Sequence, residues 1–159
     1  MASPDEVIVA DDVRELLRDE YMKLQDIIES FDERVLTIKA WSVSFSFAAI
    51  GAAYAADGWP VLMLAGLSAL LFWCIEGLWK TFQDAHYGRL YVLEDYFAGN
   101  SPPPAPLQIG RSWYARWKAG RNRKLLRIMT WPHVWLPHGV ACLLALVLLV
   151  LHFLGVVPV

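Results

Sequence analysis

The C-terminal stretch from Leu136 to Val159 contains no Asp, Glu, Lys or Arg. The hydrocarbon core of a bilayer is about 30 Å thick and is crossed by about 20 residues of α-helix. The stretch is therefore predicted to be a transmembrane helix over residues 136–157. Pro137 is expected in its first turn, where a missing N–H is not needed.

Two further apolar stretches are long enough to cross a bilayer. They are residues 61–80, interrupted by Glu76 near the end, and the shorter residues 40–57, which are rich in Ser and Ala. Hydrophobic residues make up 57% of this 159-residue chain, which is more than a soluble core of that size needs. The predicted fold class is therefore an all-α integral membrane protein with three transmembrane helices.

The turn from Asp57 to Pro60 joins the first two predicted spans into a tight hairpin. Five Lys or Arg residues lie in residues 1–40, none in this turn, nine in residues 80–127 and none after them. Basic residues concentrate on the cytoplasmic side of membrane proteins. The N-terminus is therefore predicted inside and the C-terminus outside, most simply in a bacterial inner membrane.

The segment before the first span carries apolar residues at alternating spacings of four and three, which is a heptad pattern. This seam consists of Leu17, Tyr21, Leu24, Ile28, Phe31, Val35 and Ile38. Asp12 and Glu15 have capping-box spacing, which predicts that this cytoplasmic helix starts near Asp12. No Gly or Pro follows before the first span, so the helix is expected to run unbroken into it. The seam can pack on another helix of the same chain or join subunits of a homo-oligomer, and the sequence favours neither.

The second span is predicted to continue as an amphipathic helix up to the stop at Gly99 and Asn100. The proline-rich residues 101–106 then form an extended spacer. This spacer is the predicted boundary between residues 1–100, which hold the helical hairpin, and residues 107–159, which hold an aromatic basic segment and the third span.

The basic segment holds seven bases and no acid in residues 111–127, whereas residues 1–40 hold eleven acids and five bases. Its bases are Arg111, Arg116, Lys118, Arg121, Arg123, Lys124 and Arg127. Because the segment ends just before a span, anionic lipid headgroups are the favoured partner, at about 1 kcal/mol per base. Pairing with the acidic N-terminal helix is the alternative, and nucleic acid is not expected as a partner.

Candidate polar positions within the spans are Glu76, Lys80 and three serines, Ser42, Ser44 and Ser46. A carboxylate at the bilayer centre costs about 2.5–3.5 kcal/mol. Glu76 either pairs with Lys80, one turn away on the same helix face, or belongs to a polar pathway. The serines precede a run of alanines, so they either allow close helix packing or line a narrow wet passage.

No motif for enzymatic chemistry, for a cofactor or for a metal is recognisable in the sequence. The glycines do not have phosphate-loop spacing, and His133 and His138 are too loosely spaced for a metal site, so interfacial packing is expected for both. Cys74 and Cys142 lie in apolar runs and are predicted to be packing residues. The protein is therefore expected not to be an enzyme and to need no cofactor.

Two segments carry a resemblance to a known family: IKAWSVSFSFAA, which starts at Ile38, and FWCIEGLWKTFQDAHYGRLYVLE, which ends at Glu94. With the helix before them they resemble small bacterial membrane proteins of the SLATT type, over about residues 12–97. The resemblance implies an oligomeric effector of anti-phage defence that perturbs or perforates the inner membrane. A membrane adaptor that recruits a soluble partner through its cytoplasmic helices is the alternative function.

Overall fold

The computed structural model describes residues 4–55, 58–119 and 121–158, with the side chains of residues 4–10, 121 and 122 left out. The described residues form five helices and no strand, which confirms the all-α prediction. Three of the helices are long and apolar enough to cross a membrane, as the sequence predicts. The helices are α1 Pro4–Ala55, α2 Trp59–Phe97, α3 Ile109–Lys118, α4 Arg121–Met129 and α5 Pro132–Phe153.

Helix α1 is a single helix of 52 residues, so the predicted unbroken run into the first span is confirmed. It begins at Pro4 rather than near Asp12. A proline is tolerated at the first helical position, and residues 5–12 contain neither glycine nor proline to interrupt the helix. The spacing of Asp12 and Glu15 therefore does not mark the helix start.

Helix α2 ends where Gly99 and Asn100 predict it. Gly99 has a left-handed φ of 79°, which glycine adopts without steric cost. Its N–H donates to the Tyr96 carbonyl at 3.0 Å, and the Asn100 N–H donates to the Asp95 carbonyl at 2.8 Å. This pair of hydrogen bonds is a Schellman motif, which satisfies carbonyls at the end of a helix.

Helix α5 begins earlier than the sequence suggests. Pro132, and not Pro137, occupies the first turn, and Pro137 lies inside the helix. Trp131 has an extended backbone, and its carbonyl accepts from the N–H groups of Val134 and Trp135. The helix begins at Pro132 and ends at Phe153, whereas the sequence predicted a start at residue 136 and an end at residue 157. Both predicted limits were therefore four residues late.

The helices are divided between two compact units. Unit 1 comprises Met1–Asp32 and Thr81–Arg121, and unit 2 comprises Glu33–Lys80 and Asn122–Val159. Helices α1 and α2 therefore contribute to both units. These limits differ from the boundary predicted at the proline-rich spacer, which lies within unit 1.

The core of unit 1 is built on the heptad seam. Leu17, Leu24 and Ile28 of α1 are buried and pack with Leu90 and Leu93 of α2. For this part of the seam, the structure has the first of the two alternatives, packing within the chain. Association of subunits stays a prediction.

The core of unit 2 uses small residues. Ala53 of α1, Ala65 of α2 and Ala145 of α5 are buried together with Ile50 and Leu62. Methyl side chains let helix backbones approach closely. We call these five residues the apolar cluster.

Candidate functional site

Glu76 is fully buried in unit 2, with 0% of its surface exposed. It lies on α2, and its two carboxylate oxygens have partners on two other helices. Oε2 is 2.9 Å from Nε2 of His138 on α5, and Oε1 is 3.2 Å from Nζ of Lys39 on α1. The contact with Lys39 is an ion pair without hydrogen-bond geometry. Glu76 is therefore held by charge on one oxygen and by a hydrogen bond on the other.

His138 connects this carboxylate to a hydroxyl. Its Nδ1 is 2.7 Å from Oγ of Ser42 on α1, while its Nε2 contacts Glu76. All three side chains are 0% exposed. Hydroxyl, imidazole and carboxylate thus form a continuous chain across α1, α5 and α2. We call Lys39, Ser42, Glu76 and His138 the polar cluster.

The hydrogen positions follow from the chemistry of the three groups. An ionised carboxylate only accepts, so the contact with Glu76 requires a proton on Nε2. In the neutral ring Nδ1 then accepts from the Ser42 hydroxyl. In the charged ring both nitrogens donate, and the hydroxyl turns to accept. The same three positions therefore accommodate two protonation states of His138.

Two of the three candidate serines lie on the side of α1 that faces this cluster. Ser46 is fully buried, one turn beyond Ser42, and its Oγ has no hydrogen-bond partner among the described residues. Ser44 lies on the exposed face of the helix. The structure thus separates Ser44 from Ser42 and Ser46, which the alternating sequence pattern does not.

Sequence reasoning missed Lys39 and His138 as members of this site. The prediction that His138 packs at an interface was wrong, because the ring is fully buried and both of its nitrogens have partners. His133, by contrast, is exposed and lies against the Trp131 ring, with centroids 5.4 Å apart. The signal that could have identified His138 was its position in the third predicted span, which contains no Asp, Glu, Lys or Arg. The pairing of Glu76 with Lys80 stays a prediction.

Burying this cluster has an energetic cost that its contacts must offset. An uncompensated carboxylate in an apolar interior is so unfavourable that it is paired or neutralised. The positive charge of Lys39, whose side chain is 20% exposed, balances the carboxylate. No group of three His, Cys, Asp or Glu side chains within the described part of the chain could hold a metal ion.

Unit 1 contains a second buried carboxylate, Glu20, that is 4% exposed. Arg89 donates to its two oxygens at 2.9 and 2.8 Å. The backbone N–H groups of Leu107 and Gln108 donate to the same two oxygens at 2.9 and 3.1 Å. Arg89 also donates to the Ala105 carbonyl at 2.7 Å. Glu20 thereby fixes the end of the proline-rich spacer and the start of α3.

The basic segment is divided between α3 and α4. Arg116 donates to the Asp84 carbonyl at 3.1 Å and lies 3.7 Å from its carboxylate. Asp84 lies on α2, so Arg116 joins α3 to that helix. Lys124 is partly buried, and the side chain of Arg121 lies outside the described residues. The exposed bases are Arg111, Lys118, Arg123 and Arg127.

Both cysteines are free and partly buried. Cys142 Sγ is 3.5 Å from the Gly66 carbonyl, a contact between α5 and α2. This environment agrees with packing residues.

Comparison of the chain with protein-family models, with curated proteins and with solved structures found no match. The SLATT resemblance therefore stays a prediction from the sequence pattern, and any function has to be argued from the residues described above.

Proposed function

We propose that this protein is a three-span protein of a bacterial inner membrane that acts, without enzymatic chemistry, as an effector that lets ions cross the membrane. The observation that carries the proposal is the fully buried Glu76, which has partners on α1 and α5. Ionisable residues within spans are costly and typically mark ion or proton pathways. The apolar length of α1, α2 and α5 provides the membrane context.

The apolar cluster is proposed to keep this pathway closed. Along α1 the polar positions Lys39, Ser42 and Ser46 are followed by the buried Ile50 and Ala53. Apolar constrictions block ions because water does not enter them. Entry of water between α1, α2 and α5 would connect the polar cluster to the other side of the membrane.

Substitution of Ala53 tests this function without knowledge of the natural trigger. Ala53→Ser adds one hydroxyl to the apolar cluster, so cells that produce it should depolarise and grow more slowly than cells with the unchanged protein. Ala52→Ser is the matched control, because Ala52 is exposed on the same helix turn. Membrane potential is measured with a voltage-sensitive dye at equal protein levels. If neither the unchanged protein nor Ala53→Ser depolarises cells, the effector function is wrong.

The proposed topology places the N-terminus and the basic segment in the cytoplasm and the C-terminus outside. Single cysteines at Ser3, Gln108 and Val159 in a background without Cys74 and Cys142 test it. An impermeant thiol reagent should label intact cells at position 159 only. Labelling of position 108 from outside would reverse the topology.

We propose that the effector is a homo-oligomer. Chemical crosslinking in isolated membranes should give bands above the monomer. Since Leu17, Leu24 and Ile28 pack inside the chain, the association is proposed to use the exposed face of α1 in unit 2. Monomer alone at every crosslinker concentration would contradict this proposal.

The exposed bases of α3 and α4 are proposed to bind anionic headgroups. Exposed Leu126, beside Arg127, adds an apolar contact. Each base contributes about 1 kcal/mol near an anionic surface. Arg123→Gln with Arg127→Gln should weaken the binding of detergent-solubilised protein to phosphatidylglycerol vesicles, and leave binding to phosphatidylcholine vesicles unchanged. Equal binding to both vesicles would contradict this role.

A groove in unit 1 favours the adaptor as a second candidate function. It has a volume of about 940 Å³. Its lining combines four acids with two bases and three large apolar side chains: Asp11, Asp12, Glu15 and Glu94, Arg14 and Arg18, and Tyr21, Met22 and Phe97. If the protein is an adaptor, a soluble partner should sediment with membranes, Glu94→Lys should release it, and overproduction should not depolarise cells.

A further inference from the structure

We propose that the ion handled by the polar cluster is the proton and that His138 carries it. This inference rests on the proposed function and names the ion for that activity. It follows from three features of the cluster: its lack of space, its chemistry and the position of its two ends.

The first feature is the direct contact between the members of the cluster. Ser42, His138 and Glu76 are joined at 2.7 and 2.9 Å, and none of the three is exposed. These are hydrogen-bond distances without an intervening molecule. A cation such as Ca²⁺ takes six to eight oxygen ligands. The three hydrogen-bonded side chains of the polar cluster offer only one hydroxyl, one imidazole and one carboxylate. A proton needs no added space, because it moves along existing hydrogen bonds.

The second feature is that each contact can transfer a proton with all atoms conserved. The Ser42 hydroxyl gives its proton to Nδ1 of neutral His138 and takes another from water, so that the new N–H donates to Ser42 Oγ. The Nε2–H bond then breaks as its proton forms an O–H bond on Glu76 Oε2. Glu76 finally releases that proton to water beside Lys39. His138 is left neutral with its hydrogen on Nδ1, and water that enters the open cluster restores the first state by taking that proton and giving one to Nε2.

The charged groups around the ring decide where this proton is stabilised. From α2 the carboxylate of Glu76 faces Nε2, and from α1 Lys39 lies on the far side of that carboxylate. Neutral Ser42 faces Nδ1 from α1. A charged His138 therefore shares Glu76 with Lys39.

The third feature is the position of the two ends. At one end the Lys39 side chain is 20% exposed. At the other, Ser46 is buried with no hydrogen-bond partner for its Oγ among the described residues. An unsatisfied buried hydroxyl is costly, so it is expected to bind water when the apolar cluster opens. Ser46 would then supply protons towards Ser42.

Proton flux into vesicles tests the inference. The full-length protein carrying Ala53→Ser is reconstituted in phosphatidylethanolamine and phosphatidylglycerol vesicles that enclose a pH-sensitive dye. A potassium gradient with valinomycin sets the potential. We expect proton flux that falls by about tenfold or more with His138→Gln or Ser42→Ala, since loss of an acid–base group typically slows proton transfer by about 10²–10⁴. Ser44→Ala is the matched control on the exposed face of α1 and should not change the flux.

The outcomes separate this inference from the proposed function. Flux of sodium ions without flux of protons would refute the proton and leave the effector function standing. Proton flux that persists in a normally inserted His138→Gln protein would refute the role of His138. Absence of any ion flux, together with polarised cells, would refute both. If His138→Gln does not insert, the comparison of Ser42→Ala with Ser44→Ala decides.

Discussion

Among the side chains that the structure describes, units 1 and 2 each bury one carboxylate, but they satisfy it in different ways. Glu20 accepts from the fixed fork of Arg89 and from two backbone N–H groups, so each of its oxygens has two donors. Glu76 has one partner on each oxygen, and one of them is a histidine. Arginine stays charged and only donates, whereas a histidine ring can donate or accept. The first site can hold only one arrangement of hydrogens, and the second can hold several.

The largest expected effect comes from Glu20→Gln. The new amide N–H₂ would face donors of Arg89 and of a backbone N–H, and Arg89 would keep a buried charge without a counter-ion. Loss of one partner of a buried ion pair costs about 3–5 kcal/mol. Unfolding in mixed micelles, followed by circular dichroism, measures this free energy. Exposed Asp19→Asn is the control and should stay within about 0.5 kcal/mol. A comparable result for both variants would remove the contrast between the units.

The same change at the other carboxylate should have a smaller effect on stability. In Glu76→Gln the amide can donate to Nε2 of His138, provided that the ring moves its proton to Nδ1 and donates to Ser42. The expected loss is about 1 kcal/mol, near the net value of one hydrogen bond. The same micelle experiment measures it. A loss as large as that of Glu20→Gln would show that His138 cannot adapt.

Although stability should change little, Glu76→Gln should abolish the proposed proton flux, because an amide cannot take up a proton from His138. Asp at this position keeps the carboxyl group and should retain part of the flux. A Glu76→Gln protein that inserts normally and conducts as before would assign Glu76 a purely structural role.

The smallest effect is expected from Lys39→Gln. The Lys39 side chain is partly exposed, which brings its ion pair towards the value of about 0–1 kcal/mol for fully exposed pairs, and the charged form of His138 can balance Glu76 in its place. Glu76 also keeps its hydrogen bond to His138. We therefore expect a stability loss below about 1 kcal/mol, measured as above, with Thr37→Gln as an exposed control on the same helix. A larger loss would mean that Lys39, and not His138, compensates the buried charge.

The sequence was a good guide wherever one local property decides the structure. Apolar length predicted the three long helices, and the Gly99–Asn100 pair predicted the end of α2. The heptad pattern predicted the inward face of α1 in part: Leu17, Leu24, Ile28 and Val35 are buried, and Tyr21, Phe31 and Ile38 are half-buried. Pro137 misled because a proline fits a first turn and is also tolerated inside the helices of membrane proteins.

The candidate site was predicted only in part, because its contacts join residues far apart in the chain. Glu76 and Ser42 were visible as polar residues in apolar runs. Lys39 was counted among the cytoplasmic bases, and His138 was assigned to the interface. Nothing within one helix indicates that these residues meet, since the meeting depends on how α1, α2 and α5 pack. The same holds for Glu20, whose burial depends on Arg89 and on the backbone before α3.

The separation of Ser42 and His138 by 96 positions has a consequence for biosynthesis. A chain is made from its N-terminus, so the hairpin of α1 and α2 is complete before His138 has been synthesised. At that stage Glu76 can pair with Lys39 but not yet with His138. A poorly compensated carboxylate in a membrane costs about 2.5–3.5 kcal/mol. Arrival of α5 supplies the missing imidazole. A truncated chain that stops before α5 would therefore keep Glu76 without its hydrogen bond to His138.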